Sequence, residues 1–286
     1  MTPTTHAQMR ERLERFMARD TGRIAESCRT LAFDHGVQTE RATLLFHGLS
    51  ASPRQLLRVA QTLHARGHNV LVPRLPRHGY RDRLSQALAT MDSRQLKACA
   101  FESLEIARGM GTHVRVAGFS LGGLLSCYVG QTQAVERAVA LSPFLGVLFL
   151  PAVLRMAAVR LTLKLPNRFY WWDPVLRERQ QPEHGYPRYA THAVAHGLAL
   201  ADELFERAKL DAPAARSLAL VLNPFEPAVN NRAIRRLARA WTASKPGALE
   251  VVWLKGLPVL HDIVEPKRHP AVAERVNALL ADLIDR

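Results

Sequence analysis

The chain has 286 residues, enough for one large α/β domain, and its hydrophobic fraction of 48% excludes a disordered protein. A formal net charge of +14 would suit acidic partners, anionic lipid or nucleic acid. The basic residues are scattered, however, and no helix-turn-helix, zinc-finger or RNA-binding aromatic pattern accompanies them. The expectation is a basic but largely silent surface, with no nucleic-acid partner and at most weak peripheral membrane association.

The N-terminal stretch MTPTTHAQMRERLERFMARD lacks the apolar core of a signal peptide. Met9, Leu13, Phe16 and Met17 share one helical face, which predicts an amphipathic helix docked on the domain. Three cysteines, Cys28, Cys99 and Cys127, form no CxxC pair; neither a disulfide framework nor a zinc site is expected, and a cytoplasmic location fits.

ATLLF (42–46) is an apolar run without helical period and reads as a buried strand. A helix follows from about Pro53 to Arg66, then a second strand, NVLVP (69–73). RLPRHGYRDRL is a loop by its Pro, Gly and charge content. Helical spacing returns at 93–109, and further strands are HVRVAG (113–118), RAVALS (137–142), SLALVL (217–222) and LEVVWL (249–254). This alternation predicts an α/β fold: a mostly parallel central sheet with helices on both faces.

Residues 144–210 break the alternation and contain no convincing strand, which predicts a helical cap inserted within a single domain spanning 1–286. Its opening apolar run is interrupted by Pro151, Arg155 and Arg160, too early for a membrane span. Phe144, Leu148 and Phe149 from that run, with Tyr170 and Trp171 from the aromatic run Phe169–Trp172, are candidates to line an apolar substrate pocket. Each can equally pack the cap onto the core.

Gly118-Phe119-Ser120-Leu121-Gly122 satisfies G-x-S-x-G between a strand and a helix. In that setting the serine sits on a tight turn that lifts its hydroxyl above the sheet, and the glycines are the neighbours that would otherwise clash. A serine alcohol needs a base, and the base needs an orienting carboxylate. His261, beyond the last strand, is the candidate base. Glu226 is the sole carboxylate in the loop NPFEPAVNN after the strand SLALVL, and is the candidate acid. Asp262 is adjacent to the histidine and poorly placed for that role. The backbone N–H groups of Leu49 and Leu121 are the candidate oxyanion donors, while His47 holds its loop.

With these pieces in view the chain resembles the α/β-hydrolase superfamily, and within it bacterial carboxylesterases and monoacylglycerol lipases. The resemblance rests on LLFHGLSASP, VLVPRLPRHGY, VAGFSLGG, EPAVNN and LHDIVEP, over roughly residues 40–284. Two positions depart from the pattern: Glu226 stands where aspartate is usual, and Arg77 where glycine is common. The resemblance implies serine ester hydrolysis without a cofactor and a helical cap that selects the acyl chain. The expectation is a small-molecule ester with a short or medium acyl chain, or a monoacylglycerol, and no metal. Alternatives are an acyl thioesterase or acyltransferase on coenzyme A or carrier-protein substrates, or a non-catalytic binding module of hydrolase fold.

Overall fold

Each central strand sends successive side chains to opposite sides, and both sides are covered. The computed structural model describes residues 6–20, 22–148, 150–180 and 182–286. Its elements run α1 (His6–Met17), β1 (Leu31–Phe33), β2 (Thr39–Phe46), α2 (Leu57–Ala65), β3 (Asn69–Val72), α3 (Ser93–Met110), β4 (Gly111–Phe119), α4 (Leu121–Thr132) and β5 (Arg137–Leu141). They continue with α5 (Ala152–Lys164), β6 (Phe169–Trp171), β7 (Arg188–Ala190), α6 (Thr191–Leu210), β8 (Ser217–Leu222), α7 (Asn231–Ser244), β9 (Leu249–Trp253) and α8 (Pro270–Asp285).

Seven strands form one sheet in the order β1-β3-β2-β4-β5-β8-β9. β1 pairs antiparallel with β3, and every other pair in this sheet is parallel. Leu44 and Phe46 of β2 face the layer built on α1, α3, α4, α6 and α7, whereas Leu45 faces the layer of α2 and α8. Val116 against Ala117 of β4, and Leu220 against Val221 of β8, split the same way. Two covered faces explain why these strands read as continuous apolar runs rather than as alternating ones.

The docked N-terminal helix is present, with Met9, Leu13 and Phe16 buried, but Met17 is exposed and does not belong to its inner face. Between β5 and β8 the chain is not wholly helical: β6 and β7 pair antiparallel, Phe169 with Ala190 and Trp171 with Arg188. Strands of three residues are too short to show a period, and aromatic side chains favour extended backbone. Among the described residues, no helix is long and apolar enough to cross a membrane.

Candidate active site

Ser120 lies between β4 and α4 with φ of 55° and ψ of −112°, a region that non-glycine residues rarely occupy. The turn is held from both sides. Ser120 N–H donates to Leu141 O at 3.0 Å, and Ser120 O accepts from Leu124 N–H and Phe144 N–H, both at 2.9 Å. A Cβ on Gly118 would lie 2.3 Å from Gly122 O, and one on Gly122 would lie 1.9 Å from Phe46 O. Both glycines are therefore demanded by close approach of backbone.

His261 sits in the loop after β9. Its Nε2 is 2.9 Å from Ser120 Oγ and its Nδ1 is 2.8 Å from Glu226 Oε1. An ionised carboxylate can only accept, so Nδ1 carries the proton and Nε2 of the neutral ring faces the serine hydroxyl as acceptor. Phe119, on β4, packs against the same imidazole. Glu226 is buried in the loop after β8, and its Oε1 also accepts Ala228 N–H at 2.8 Å and Val229 N–H at 3.4 Å. Those turn amides hold the carboxylate of Glu226 in place. Asn223 fastens the acid loop to the histidine loop, donating through Nδ2 to Leu260 O at 2.8 Å.

The loop after β2 is set by two buried histidines. Leu75 N–H donates to His47 Nε2, and Ser50 N–H donates to His78 Nε2, each at 3.1 Å. Both Nε2 atoms are therefore unprotonated, and the Nδ1–H groups donate to Gly48 O and Pro76 O, each at 2.9 Å. Burial, reinforced by neighbouring His78, holds His47 well below the ordinary histidine value. Burial pushes His78 down to about 4, against the opposing effect of its bond to Pro76. His47 thus holds the loop, as expected from sequence. Leu49 lines the cavity beside Ser120, and Leu121 opens α4, where first-turn N–H groups have no intrahelical acceptor.

That cavity measures about 270 Å³. Its walls include Leu49, Phe119, Trp172, Tyr186, Pro227 and Leu260 together with polar groups. The residues expected to line it are placed elsewhere. Phe144 is buried against Gly197 of α6, Leu148 and Tyr170 are exposed, and Trp171 pairs across the β6–β7 hairpin; none of the four lines the cavity. Phe149 lies outside the described residues. The wall comes instead from residues between β6 and β7, among them Trp172, His184 and Tyr186, which meet the loop after β2. Trp172 Nε1–H donates to Ser50 Oγ at 2.7 Å, and Tyr186 N–H donates to Ser50 O at 2.7 Å.

Sequence reasoning also missed the polar side of the cavity: Gln55, Arg83, Gln180, His184 and Glu265. Arg83 donates to the carbonyls of Gly185, Gln180, Glu178 and Pro182, binding these residues to the β3–α3 loop. His184 Nε2 lies 3.1 Å from Glu265 Oε2. Burial would raise the carboxyl of Glu265, but the bonds from His184 and from Lys267 N–H outweigh it and hold it below its usual value. Asp262, next to the histidine, is pushed up by burial. The contacts of Arg83 and His184 join segments more than eighty residues apart, and no local pattern announces them.

A search of curated proteins finds no match to this sequence. Among solved structures, a chain from the work on LipS and LipT, two metagenome-derived lipolytic enzymes, superposes with a TM-score of 0.66 at 15% identity, covering 91% of this chain and 99% of that one. A soluble variant of monoglyceride lipase from Saccharomyces cerevisiae gives 0.67 at 12%, covering 90% of each chain. The monoacylglycerol lipase of Paleococcus ferrophilus gives 0.64 at 17%, covering 89% of this chain and 98% of that one. At these identities the likeness is one of fold. The sequence model of the alpha/beta hydrolase family matches residues 43–274, which take in the strands β3 to β9 and all three loops around Ser120, and the chain belongs to that family.

Proposed function

We propose that the protein is a serine hydrolase of carboxylic esters, acting on short or medium acyl esters or monoacylglycerols through Ser120, His261 and Glu226. The observation that carries this reading is the unbroken chain Ser120 Oγ, His261 Nε2, His261 Nδ1, Glu226 Oε1, with links of 2.9 and 2.8 Å on an elbow above a parallel sheet. Ser120 Oγ attacks the acyl carbon as its proton passes to His261 Nε2. Glu226 keeps the ring in the Nδ1–H tautomer and stabilises the imidazolium that forms. The carbonyl oxygen, now negative, is received by the N–H groups of Leu49 and Leu121. His261 returns the proton to the departing alcohol, and water then attacks the acyl-enzyme with His261 again as base. No step needs a cofactor or metal.

The ester reading draws support from the lipolytic names among the solved structures of the same fold. The thiols of Cys28, Cys99 and Cys127 are buried and unpaired, which suits a reducing cytoplasm. The test is a fluorophosphonate probe with peptide mapping, beside turnover of p-nitrophenyl butyrate. The native chain is expected to label at Ser120 and to turn over the ester, and Ser120→Ala to lose both. Turnover that survives in Ser120→Ala removes the assignment.

A further inference from the structure

Gln55 is 4% exposed and touches both loops that flank the serine. Its Oε1 accepts Gly48 N–H at 2.9 Å, and its Nε2 donates to Asp262 Oδ2 at 3.2 Å. A backbone N–H only donates and an ionised carboxylate only accepts, so the amide has one possible orientation. Gly48 directly precedes Leu49, and Asp262 directly follows His261. The amide therefore spans from the oxyanion loop to the loop of the base.

The span is stiff at each support. Gln55 lies in a short 3-10 helix, Pro53–Leu56, whose first turn is closed by Gln55 N–H donating to Ser52 O at 3.0 Å, and the next residue, Leu56, is fully buried. Gly48 is pressed against the amide: a Cβ there would lie 3.3 Å from Gln55 Oε1 and 3.3 Å from the Phe119 ring. On the other side, Asp262 Oδ1 accepts Glu265 N–H at 3.3 Å.

Resting on the ester-hydrolase reading, we propose that Gln55 is a positioning residue that fixes the spacing between the oxyanion donors and His261. The nucleophile's two partners must converge on one carbonyl group, the base beside Ser120 Oγ and the Leu49 N–H beside the carbonyl oxygen. They arrive on separate loops, one after β2 and one after β9. A displacement of about 1 Å in such an arrangement can lower a rate by roughly a hundredfold. Gln55 holds the two loops at one separation through these two bonds.

The test uses Gln55→Met and Gln55→Glu beside the native chain, with kcat and KM for p-nitrophenyl butyrate measured across pH. Gln55→Met removes both bonds and is expected to lower kcat by about tenfold or more, with KM within about twofold of native. Gln55→Glu keeps an acceptor for Gly48 N–H and replaces the donor with a carboxyl. When protonated, that carboxyl donates to Asp262 as the amide does; when ionised, it repels it. The groups facing Asp262 are His261, Glu265 and Arg268 as well as Gln55. They are unchanged in the variant, so the ratio of Gln55→Glu kcat to native kcat is expected to climb as pH falls. A purely structural contribution would not give the ratio that slope. Native kcat in Gln55→Met, or a ratio that is the same at every pH, overturns the proposal while leaving Ser120 labelling and native turnover in place. A native chain that neither labels at Ser120 nor turns over the ester removes the hydrolase reading and this role together.

Discussion

The ring of Phe119 lies against the imidazole of His261, centroids 4.9 Å apart and planes tilted by 35°. Phe119 is 2% exposed, directly precedes the serine, and also meets the face of Gly48. It is a floor shared by His261 and the loop after β2. Phe119→Ala should destabilise the fold by about 3–5 kcal/mol through the cavity it leaves. It should also lower kcat, because the imidazole loses the surface that fixes its tilt. Phe119→Leu should recover most of the stability and less of the rate. Urea denaturation alongside kcat separates the two effects; proportional recovery of both would remove the positioning role.

The seat of Glu226 gives a second expectation. Its Oε1 gathers His261 Nδ1–H and two backbone N–H groups, so the side chain is held whether or not it is charged. Glu226→Gln should leave thermal stability close to native. It should nonetheless lower kcat by roughly a hundredfold or more, because the imidazolium formed during attack has no counter-charge. Glu226→Asp keeps the charge with one methylene fewer and should retain part of the rate. A Glu226→Gln enzyme with near-native kcat would place the orienting carboxylate elsewhere.

Acid should weaken the fold before it protonates ordinary carboxylates. His78 titrates at about 4 in the folded chain and His47 well below its usual value, while in the unfolded chain both take up protons near 6.5. The unfolded state therefore binds more protons below about pH 6.5, and stability falls as pH drops from there towards 4. Each such histidine contributes a slope of about 1.4 kcal/mol per pH unit across its window. His68 and His196, also lowered by burial, add the same sign. Melting temperatures between pH 7.5 and pH 5 check the slope, and His78→Gln, which can still accept Ser50 N–H, should flatten it. An equal slope in native and variant chains would exclude His78 as a source.

The cavity wall sets the last expectation. Leu49, Trp172, Tyr186 and Leu260 offer apolar surface beside Ser120. Burying each CH₂ is worth about 0.8 kcal/mol, so kcat/KM for p-nitrophenyl esters should rise roughly fourfold per methylene from acetate until that surface is covered. Trp172→Ala should reduce the gain per methylene while leaving acetate turnover nearer to native. A flat profile across chain lengths would assign the acyl group to another surface.

The parallel strands were legible because burial on both faces leaves an unbroken apolar run, as in ATLLF and RAVAL. The serine turn was legible because its two glycines are required by backbone contacts that any such turn makes. Glu226 and His261 could be placed from the order of strands, since each follows one by a few residues. β1 was not, being a three-residue antiparallel edge with each residue only partly buried. Nor was the pocket. Its wall depends on where Trp172 and Tyr186 settle, which is decided by bonds such as Tyr186 N–H to Ser50 O across more than a hundred residues. Arg77 is an intermediate case: it replaces a common glycine and does adopt φ of 68°, so the sequence marked the turn but not how arginine tolerates it.

The serine's backbone is tied to three neighbouring strands at once. Gly122 rests on Phe46 O at the end of β2, Ser120 follows β4, and its N–H is bonded to Leu141 O at the end of β5. Undocking β5 would remove the bond from Ser120 N–H to Leu141 O, one of the contacts that hold the unfavourable φ of the turn. Under the proposed mechanism, a molecule that keeps its helices but loosens that one seam should lose turnover. Turnover should then gauge the middle of the sheet more strictly than any measure of helix content.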